Sequence, residues 1–267
     1  MISLVQLLKE AQGKPKAIIL AGAPGAGKGY ILRGLDLGGL KVMNVDDIYV
    51  PLLKKANVSL DLKNATPEER SEQAKQMAAA NKQFKGEMEQ IIAGKESFIL
   101  DGTAASYNTT AKLKNELDEA GYDVFMLYVY TDLERSLSQN QDRYFKSGGE
   151  DRSLAPAIVM RTWKSVTDNL PKYEELFGNN FVAVANTLDD RMQDIDKIIK
   201  KYLKPFTPQG TKPKTPAQQK KSDERKAKDK EEIQAMLSDD FIYDVIEYTM
   251  SKEEAQMRLK QFLSKWV

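Results

Sequence analysis

The sequence contains no cysteine and no histidine among its 267 residues. Without cysteine the chain forms neither disulfides nor catalytic thiolates, which fits a reducing compartment such as the cytoplasm. The two absences together exclude zinc sites built from cysteine and histidine, and they exclude Ser-His-Asp triads and imidazole bases. A general base in this protein must therefore be a carboxylate, a lysine or a tyrosine.

A strong net charge and long apolar runs are also missing. The 40 lysines and arginines balance 39 acidic residues, so no global field favours a nucleic acid or a membrane as partner. No apolar run approaches the roughly 18–20 residues that a membrane-spanning helix needs. Because residues 1–9 also lack the basic segment of a signal peptide, we expect a cytoplasmic protein.

Short apolar runs alternate with helical patterns over residues 1–203. The runs are residues 16–21, 40–45, 97–100, 122–130 and 181–185. This alternation predicts an α/β domain of three layers, with a parallel sheet and helices on both faces. One helix carries an explicit start signal, since Thr66, Pro67 and Glu69 form a capping box with proline in the first turn. Functional residues are expected at the carboxyl ends of the strands.

The sequence changes character after residue 203. Residues 204–222 are rich in proline and lysine, which is typical of an extended linker. Residues 223–267 show helical patterns whose apolar faces are too large to be left in water. We expect this C-terminal helical appendage to dock on a protein partner, because the linker is longer than docking on the main domain requires.

Residues 22–28 read Gly-Ala-Pro-Gly-Ala-Gly-Lys and match the phosphate-binding pattern G-x-x-x-x-G-K. They follow a predicted strand and precede a predicted helix, as the motif requires. We expect backbone N–H groups here to surround the phosphates of ATP, with Lys28 at the β- and γ-phosphates. The alternative is a glycine-rich turn without a ligand. The predicted nucleotide-binding residues are Gly22, Ala23, Pro24, Gly25, Ala26, Gly27, Lys28, Gly29 and Tyr30.

The position after Lys28 departs from the general pattern. A serine or threonine is usual there because its hydroxyl binds Mg²⁺. This chain has Gly29 followed by Tyr30, and a tyrosine cannot reproduce the geometry of a short hydroxyl. The sequence therefore predicts that acidic residues elsewhere hold the magnesium ion.

Acidic residues follow the second and third predicted strands. Asp46 is predicted to be the base that accepts the proton of an attacking hydroxyl, and Asp47 to bind substrate. The alternative for this pair is an N-cap and a first-turn acid of the next helix. Asp101 closes a run shaped like a Walker B element and is predicted to hold Mg²⁺ directly or through water. Thr103 is predicted to contact substrate, the alternative for both being a strand-ending turn.

A basic segment lies between two predicted helices and contains Gly148-Gly149. Its basic residues are Arg143, Lys146, Arg152 and Arg161. Such loops close over ATP and place guanidinium groups on the transferring phosphoryl group. We predict a lid at about residues 143–156, with Arg143 and Arg152 catalytic and Arg161 binding substrate. The alternative is a solvated charged surface.

In their order along the chain, these segments resemble those of zeta-toxin-type kinases. They are the loop at 22–28, Asn44-Val-Asp-Asp-Ile, Asp101-Gly-Thr, residues 120–124 before a long strand, and the lid with Arg143, Gly148-Gly149, Arg152 and Pro156. The resemblance covers residues 15–200 and implies transfer of the ATP γ-phosphate to a hydroxyl, which in toxins of the family belongs to UDP-N-acetylglucosamine. It also implies that Lys28 binds phosphate, that Asp46 is the base, that Asp101 sits at the Walker B position and that Arg152 reaches phosphate.

Two other functions stay open. Asn44-Val-Asp46-Asp47 also resembles a segment of polynucleotide kinases, which predicts a polynucleotide 5′-hydroxyl or a nucleotide as acceptor. Few aromatic residues between positions 45 and 85 are available to stack on bases. Gly29-Tyr30 and the C-terminal segment also fit a P-loop protein that binds nucleotide and a partner with little catalysis. The zeta-type family often has arginine or lysine where Tyr49 stands, so the resemblance does not fix the acceptor.

Overall fold

In the computed structural model, the described residues are 14–33, 40–62 and 65–186, with isolated positions between 216 and 231. The rest of the predicted linker and C-terminal segment lies outside the described residues. The described positions from residue 216 onward are helical, and the first of them fall within the range predicted as a linker. Lys220 pairs with Glu224 one turn later (3.9 Å).

The described residues form a sheet of five parallel strands in the order β2-β3-β1-β4-β5. The strands are β1 (Lys16–Ala21), β2 (Lys41–Met43), β3 (Phe98–Asp101), β4 (Asp123–Tyr130) and β5 (Phe181–Ala185). All six residues of β1 are buried, as expected of a central parallel strand covered on both faces. The predicted parallel sheet is confirmed.

Strand β2 is shorter than the predicted run of residues 40–45. It ends at Met43, and Val45 is already the N-cap of the next helix. Asp46 and Asp47 lie in the first turn of that helix, so the predicted placement of this pair at the end of a strand is wrong. The chain leaves the strand early because the side chain of Asn44 accepts a hydrogen bond from the backbone N–H of Asp46 (2.9 Å).

Helices cover both faces of the sheet, which confirms the predicted three-layer architecture. The α-helices in the described part of the chain are α1 (Lys28–Arg33), α2 (Asp46–Lys55), α3 (Pro67–Ala93), α4 (Tyr107–Glu119), α5 (Leu133–Lys146), α6 (Pro156–Asp168) and α7 (Leu170–Phe177). Ile31 of α1 packs with Ile18 on one face, and Leu117 and Trp163 pack with Ile19 on the other. Within these ranges no helix is both long and apolar enough to cross a membrane.

The start of α3 follows its sequence signal. Thr66 Oγ1 accepts from the N–H of Glu69 (3.2 Å), and Glu69 Oε2 accepts from the N–H of Thr66 (2.8 Å). This confirms the predicted capping box. Pro67 occupies the first turn, where its missing N–H would have had no helical partner.

The chain leaves β1 toward one edge of the sheet and leaves β3 toward the other. In parallel sheets ligands bind at the carboxyl ends of strands where the connections diverge in this way. The N–H of Gly22 donates to the carbonyl of Thr103 (3.2 Å), which ties the two loops together. The phosphate-binding motif and Asp101 therefore meet at one edge of the sheet.

Candidate active site

The segment at residues 22–28 is a tight loop whose shape requires glycine, as Gly25 and Gly27 illustrate. Gly25 and Gly27 have φ angles of 77° and 83°, which residues with side chains rarely adopt. A Cβ on Gly25 would lie 2.5 Å from the main-chain oxygen of Ser136, and one on Gly27 would collide with the side-chain amide of Asn186. The loop is therefore packed against α5 and the end of β5 more closely than a side chain allows.

Carbonyl groups of this loop are engaged by neighbouring side chains. Ser136 Oγ donates to Pro24 O (2.5 Å), and Asn186 Nδ2 donates to Ala26 O (2.7 Å). The backbone N–H groups of Gly25, Gly27, Lys28 and Gly29 are among those that make no hydrogen bond within the described part of the chain. Unpaired N–H groups at the start of a helix bind anions such as phosphate. We call residues 22–29 the cradle.

Lys28 completes the cradle. Its Nζ donates to the main-chain oxygens of the first two cradle residues (2.9 and 3.2 Å). Burial lowers the pKa of Lys28 to about 8, Asp101 and Asp46 act against this shift, and the positive charge of Arg143 adds to it. A bound phosphate would favour the charged form of Lys28. The charged lysine would in turn stabilise an anionic ligand in the cradle.

Asn44 connects the two carboxylates that the sequence assigns to the site. Its Oδ1 accepts from the N–H of Asp46 (2.9 Å), and its Nδ2 donates to Asp101 Oδ2 (3.0 Å). Burial raises the pKa of Asp101, and the charge of Lys28 and the hydrogen bond from Asn44 act against that shift. One amide therefore aligns the acidic residues after β2 and at the end of β3.

Arg152 approaches Asp46 from the segment between α5 and α6, which the sequence predicts to be a lid and which we call the lid. Its Nη2 lies 2.7 Å from each carboxylate oxygen of Asp46, and its guanidinium carbon lies 5.9 Å from the ring centre of Tyr49, one helical turn further along α2. The Arg152 and Asp46 side chains are only 15% and 18% exposed. Arg152 Nε is buried and has no hydrogen-bond partner within the described ranges. The guanidinium group thus has one N–H donor that the described residues leave unsatisfied.

The lid around Arg152 is fastened to the segment that follows α2. The N–H of Ser153 donates to Leu60 O (3.1 Å), and Ser153 Oγ donates to Asp61 Oδ1 (3.0 Å). Asp61 and Ser153 also form a parallel β-bridge. The lid therefore lies across the side of the site where Asp46 stands.

The structure brings five predicted site residues into one electrostatically coupled group: Lys28, Asp46, Asp101, Arg143 and Arg152. Arg143 forms an ion pair with Asp151 in the lid, and its charge acts on both Lys28 and Asp101. Thr103 joins this group through its main chain, by accepting from the N–H of Gly22.

Two further predicted residues have no observed link to this group. Asp47 and Arg161 are exposed, and the described residues offer neither side chain a hydrogen bond or ion pair. Lys146 pairs with Asp142 on its own helix and is 79% exposed, which fits the solvated surface that was the alternative for this residue. Tyr30 is also exposed, at 57%.

Asp101 is the carboxylate at the end of β3, beside the cradle. The described residues contain no group of three or more acidic side chains that would form a cation cage by itself. Mg²⁺ commonly needs one or two carboxylates, with phosphate oxygens and water completing its shell. The donors present therefore fit a magnesium ion shared with a nucleotide.

Three polar residues of the site carried no motif in the sequence. Ser136, Gln139 and Asn186 hold the cradle from α5 and from the end of β5. Asn186 directly follows a predicted strand, so its position at the carboxyl edge of the sheet was a usable signal. Ser136 and Gln139 are ordinary polar helix residues, and only the packing of the loop against α5 reveals them.

Comparison with known proteins gives one family match and several structural similarities. The sequence model of the zeta toxin family matches residues 4–198. A chain of the AvrRxo1-ORF1:-ORF2 complex with ATP is 16% identical, with a TM-score of 0.50, over 99% of this chain and 84% of that chain. A chain of the same complex with sulphate ions is 17% identical, with a TM-score of 0.50, over 69% of this chain and 58% of that chain.

A third similar structure belongs to the PezAT chromosomal toxin-antitoxin system of Streptococcus pneumoniae. It is 16% identical, with a TM-score of 0.44, over 82% of this chain and 87% of that chain. No curated protein sequence matches the chain. The two similarities with a TM-score of 0.50 support the fold alone.

Proposed function

The chain belongs to the zeta toxin family, and on that premise we propose that it is an ATP-dependent kinase acting on a hydroxyl of a small molecule. The observation that carries this proposal is the coupling of a phosphate cradle to Asp46 and Arg152. Free N–H groups and Lys28 suit the phosphates of ATP, whereas Asp46 and Arg152 suit the transfer step. A protein that only bound nucleotide would not need the second pair.

In the proposed reaction the acceptor oxygen attacks the γ-phosphorus, and the bond from that phosphorus to the β,γ-bridging oxygen breaks. Asp46 accepts the proton of the acceptor hydroxyl, and ADP leaves with the electron pair of the broken bond. Lys28 and the cradle N–H groups stabilise negative charge on the phosphates. Arg152, whose Nε has a free donor, turns toward the transferring phosphoryl group, where charge is distributed over the equatorial oxygens.

We propose that Asp101 holds Mg²⁺ directly or through water, together with phosphate oxygens of ATP. When bound, the ion neutralises charge on the β- and γ-phosphates. Asn44 supports this role because its amide orients Asp101 Oδ2 (3.0 Å). The missing hydroxyl at Gly29 leaves more of the binding to Asp101 than in P-loops with serine or threonine at this position.

The acceptor class is tested by offering labelled ATP to two kinds of hydroxyl. The protein is incubated with [γ-³²P]ATP and either a nucleotide-sugar such as UDP-N-acetylglucosamine or a 5′-hydroxyl oligonucleotide. We expect label in the nucleotide-sugar, with Lys28→Ala as the inactive control. Label in the oligonucleotide alone would favour a polynucleotide kinase. If no label is transferred to either acceptor and ATP does not raise the thermal stability of the protein, the kinase proposal is contradicted.

We also propose a protein partner for residues 223–267. The amphipathic patterns of this segment and the linker before it support the proposal. Deleting residues 205–267 should leave ATP binding by the cradle intact and abolish capture of the partner. If the truncated chain binds the same proteins as the full chain, this segment is not the docking site.

A further inference from the structure

One face of α5 carries polar side chains at buried or half-buried positions. Ser136, Gln139 and Asn140 stand at positions i, i+3 and i+4, so they project from the same side of the helix. Ser136 is 0% exposed and Asn140 is 6% exposed. Buried polar groups need hydrogen-bond partners. The partners of these three side chains belong to two different segments of the active site.

The first two side chains hold the cradle. Ser136 donates to Pro24 O (2.5 Å). In the amide orientation that satisfies both of its neighbours, Gln139 donates to Gly25 O (2.6 Å) and accepts from Arg135 Nε (2.8 Å). The phosphate-binding loop is therefore fixed to α5 by side chains as well as by the close backbone contact at Gly25.

The third side chain holds the lid. Asn140 Nδ2 donates to Leu154 O (2.9 Å), and Asn140 Oδ1 accepts from the N–H of Leu154 (3.1 Å). The amide thus satisfies both main-chain groups of Leu154, as a second peptide group would. Leu154 stands two residues after Arg152 and directly after Ser153, which is bonded to Leu60 and Asp61 on the other side.

We propose that Asn140 is a positioning residue for phosphoryl transfer, because it fixes the distance between the phosphate cradle and Arg152. The inference rests on the proposed kinase function. One rigid helix face holds the cradle through Ser136 and Gln139 and the lid main chain through Asn140. A second link from α5 to the lid, Arg143 to Asp151, is an ion pair whose side chains are 46% and 33% exposed, and such pairs hold geometry weakly.

The first test is kinetic. Asn140→Ala should leave the ATP dissociation constant unchanged, since the bonds from Ser136 and Asn186 to the cradle remain. The value of kcat should fall about 10–100-fold, because a displacement of about 1 Å in a catalytic group has this effect. A raised KM for ATP with an unchanged kcat would overturn the proposal.

A double variant separates positioning from a general loss of structure. If Asn140 acts through Arg152, then Asn140→Ala combined with Arg152→Ala should be no slower than Arg152→Ala alone. Effects that multiply would show that Asn140 does not act through Arg152. The matched control is Asn180→Ala, since Asn180 Nδ2 donates to Val124 O (3.0 Å) near the amino ends of β4 and β5. That control should leave kcat unchanged.

Hydrogen exchange provides a readout that does not depend on activity. Asn140→Ala should speed amide exchange at residues 151–155 and leave residues 22–29 unchanged, whereas Asn180→Ala should affect neither segment. Unchanged exchange at residues 151–155 would overturn the tether itself. If Asn140→Ala does not fold, Asn140→Asp tests the same bond, since it sets a carboxylate oxygen against the Leu154 carbonyl. If the unaltered protein transfers no phosphoryl group, the kinase proposal is overturned. The hydrogen-exchange result would still show whether Asn140 holds residues 151–155.

Discussion

The cradle and the transfer half of the site are held by different kinds of contact. The cradle is fixed by neutral hydrogen bonds to its carbonyls and by a backbone approach that excludes a Cβ at Gly25. The transfer half, comprising Asp46 and the lid, combines neutral hydrogen bonds at Ser153 and Leu154 with ion pairs such as Arg152 with Asp46 and Lys54 with Glu150. Neutral hydrogen bonds fix the main chain in both halves, whereas the ion pair of Arg152 with Asp46 joins two charged side chains that a charged ligand would also attract. The phosphate site is therefore preformed, and the transfer site can re-pair when a ligand arrives.

The largest effect on activity should follow from a substitution in the transfer half that leaves the cradle unchanged. Asp46→Asn removes the proposed base, so kcat should fall about 10²–10⁴-fold. The ATP dissociation constant should stay the same because the cradle is untouched. Steady-state kinetics and calorimetry check the two values. Asp118→Asn, which removes an exposed carboxylate paired with Lys114, is the control, and equal kcat values for the two variants would refute the assignment.

The next largest effect should come from the cradle. Gly25→Ala forces a Cβ to 2.5 Å from Ser136 O at a φ of 77°, and strain of this kind costs about 1–3 kcal/mol. Relieving the strain must distort the loop, so ATP affinity should fall about 5–150-fold, as calorimetry would show. Gly86→Ala is the control, since a Cβ there meets nothing within 4 Å. If Gly25→Ala bound ATP normally, the cradle would not be the rigid half.

The pH dependence of ATP binding tests the cradle without distorting its backbone. Lys28 has a pKa of about 8 in the free protein, and bound phosphate raises that value. Affinity for ATP should therefore be highest below pH 8, where Lys28 is charged. It should fall as pH rises above 8, by at most about tenfold per pH unit. Lys28→Arg stays charged throughout this range, so its affinity should be flat. Parallel pH profiles for the two proteins would exclude the titration of Lys28 as the cause.

The smallest effect should come from restoring the usual magnesium ligand. Gly29 has no positive φ, and a Cβ there would meet only Arg33 Nη1 at 3.6 Å, an ordinary contact. Gly29→Ser should therefore fold normally and lower the Mg²⁺ concentration for half-maximal transfer, by less than about fivefold or 1 kcal/mol. An equal requirement in both proteins would show that Asp101 and the phosphates already suffice.

The same contrast explains what could be predicted from the sequence. The cradle is local, since residues 22–28 are contiguous and each glycine marks a backbone requirement. The sheet could be predicted equally well, because buried parallel strands appear in the sequence as continuous apolar runs. The end of β2 was missed, since the side chain of Asn44 turns the chain before its apolar pattern ends.

The contacts of the transfer half could not be read from sequence in the same way. The ion pair of Asp46 with Arg152 joins residues 106 positions apart, and no local pattern encodes that pairing. The residue types were predicted but their partners were not. Asn140 and Ser136 were missed entirely, because a polar residue on a helix normally indicates solvent and only tertiary packing buries it.

Transfer of the γ-phosphoryl group is the central claim, and one measurement tests it most directly. The protein is incubated with [γ-³²P]ATP and a metabolite extract, and the products are separated and identified by mass spectrometry. We predict label in a phosphorylated small molecule, formed by the unaltered protein and not by Asp46→Asn. Label that stays in ATP or appears only as inorganic phosphate, while ATP binds normally, would contradict the account.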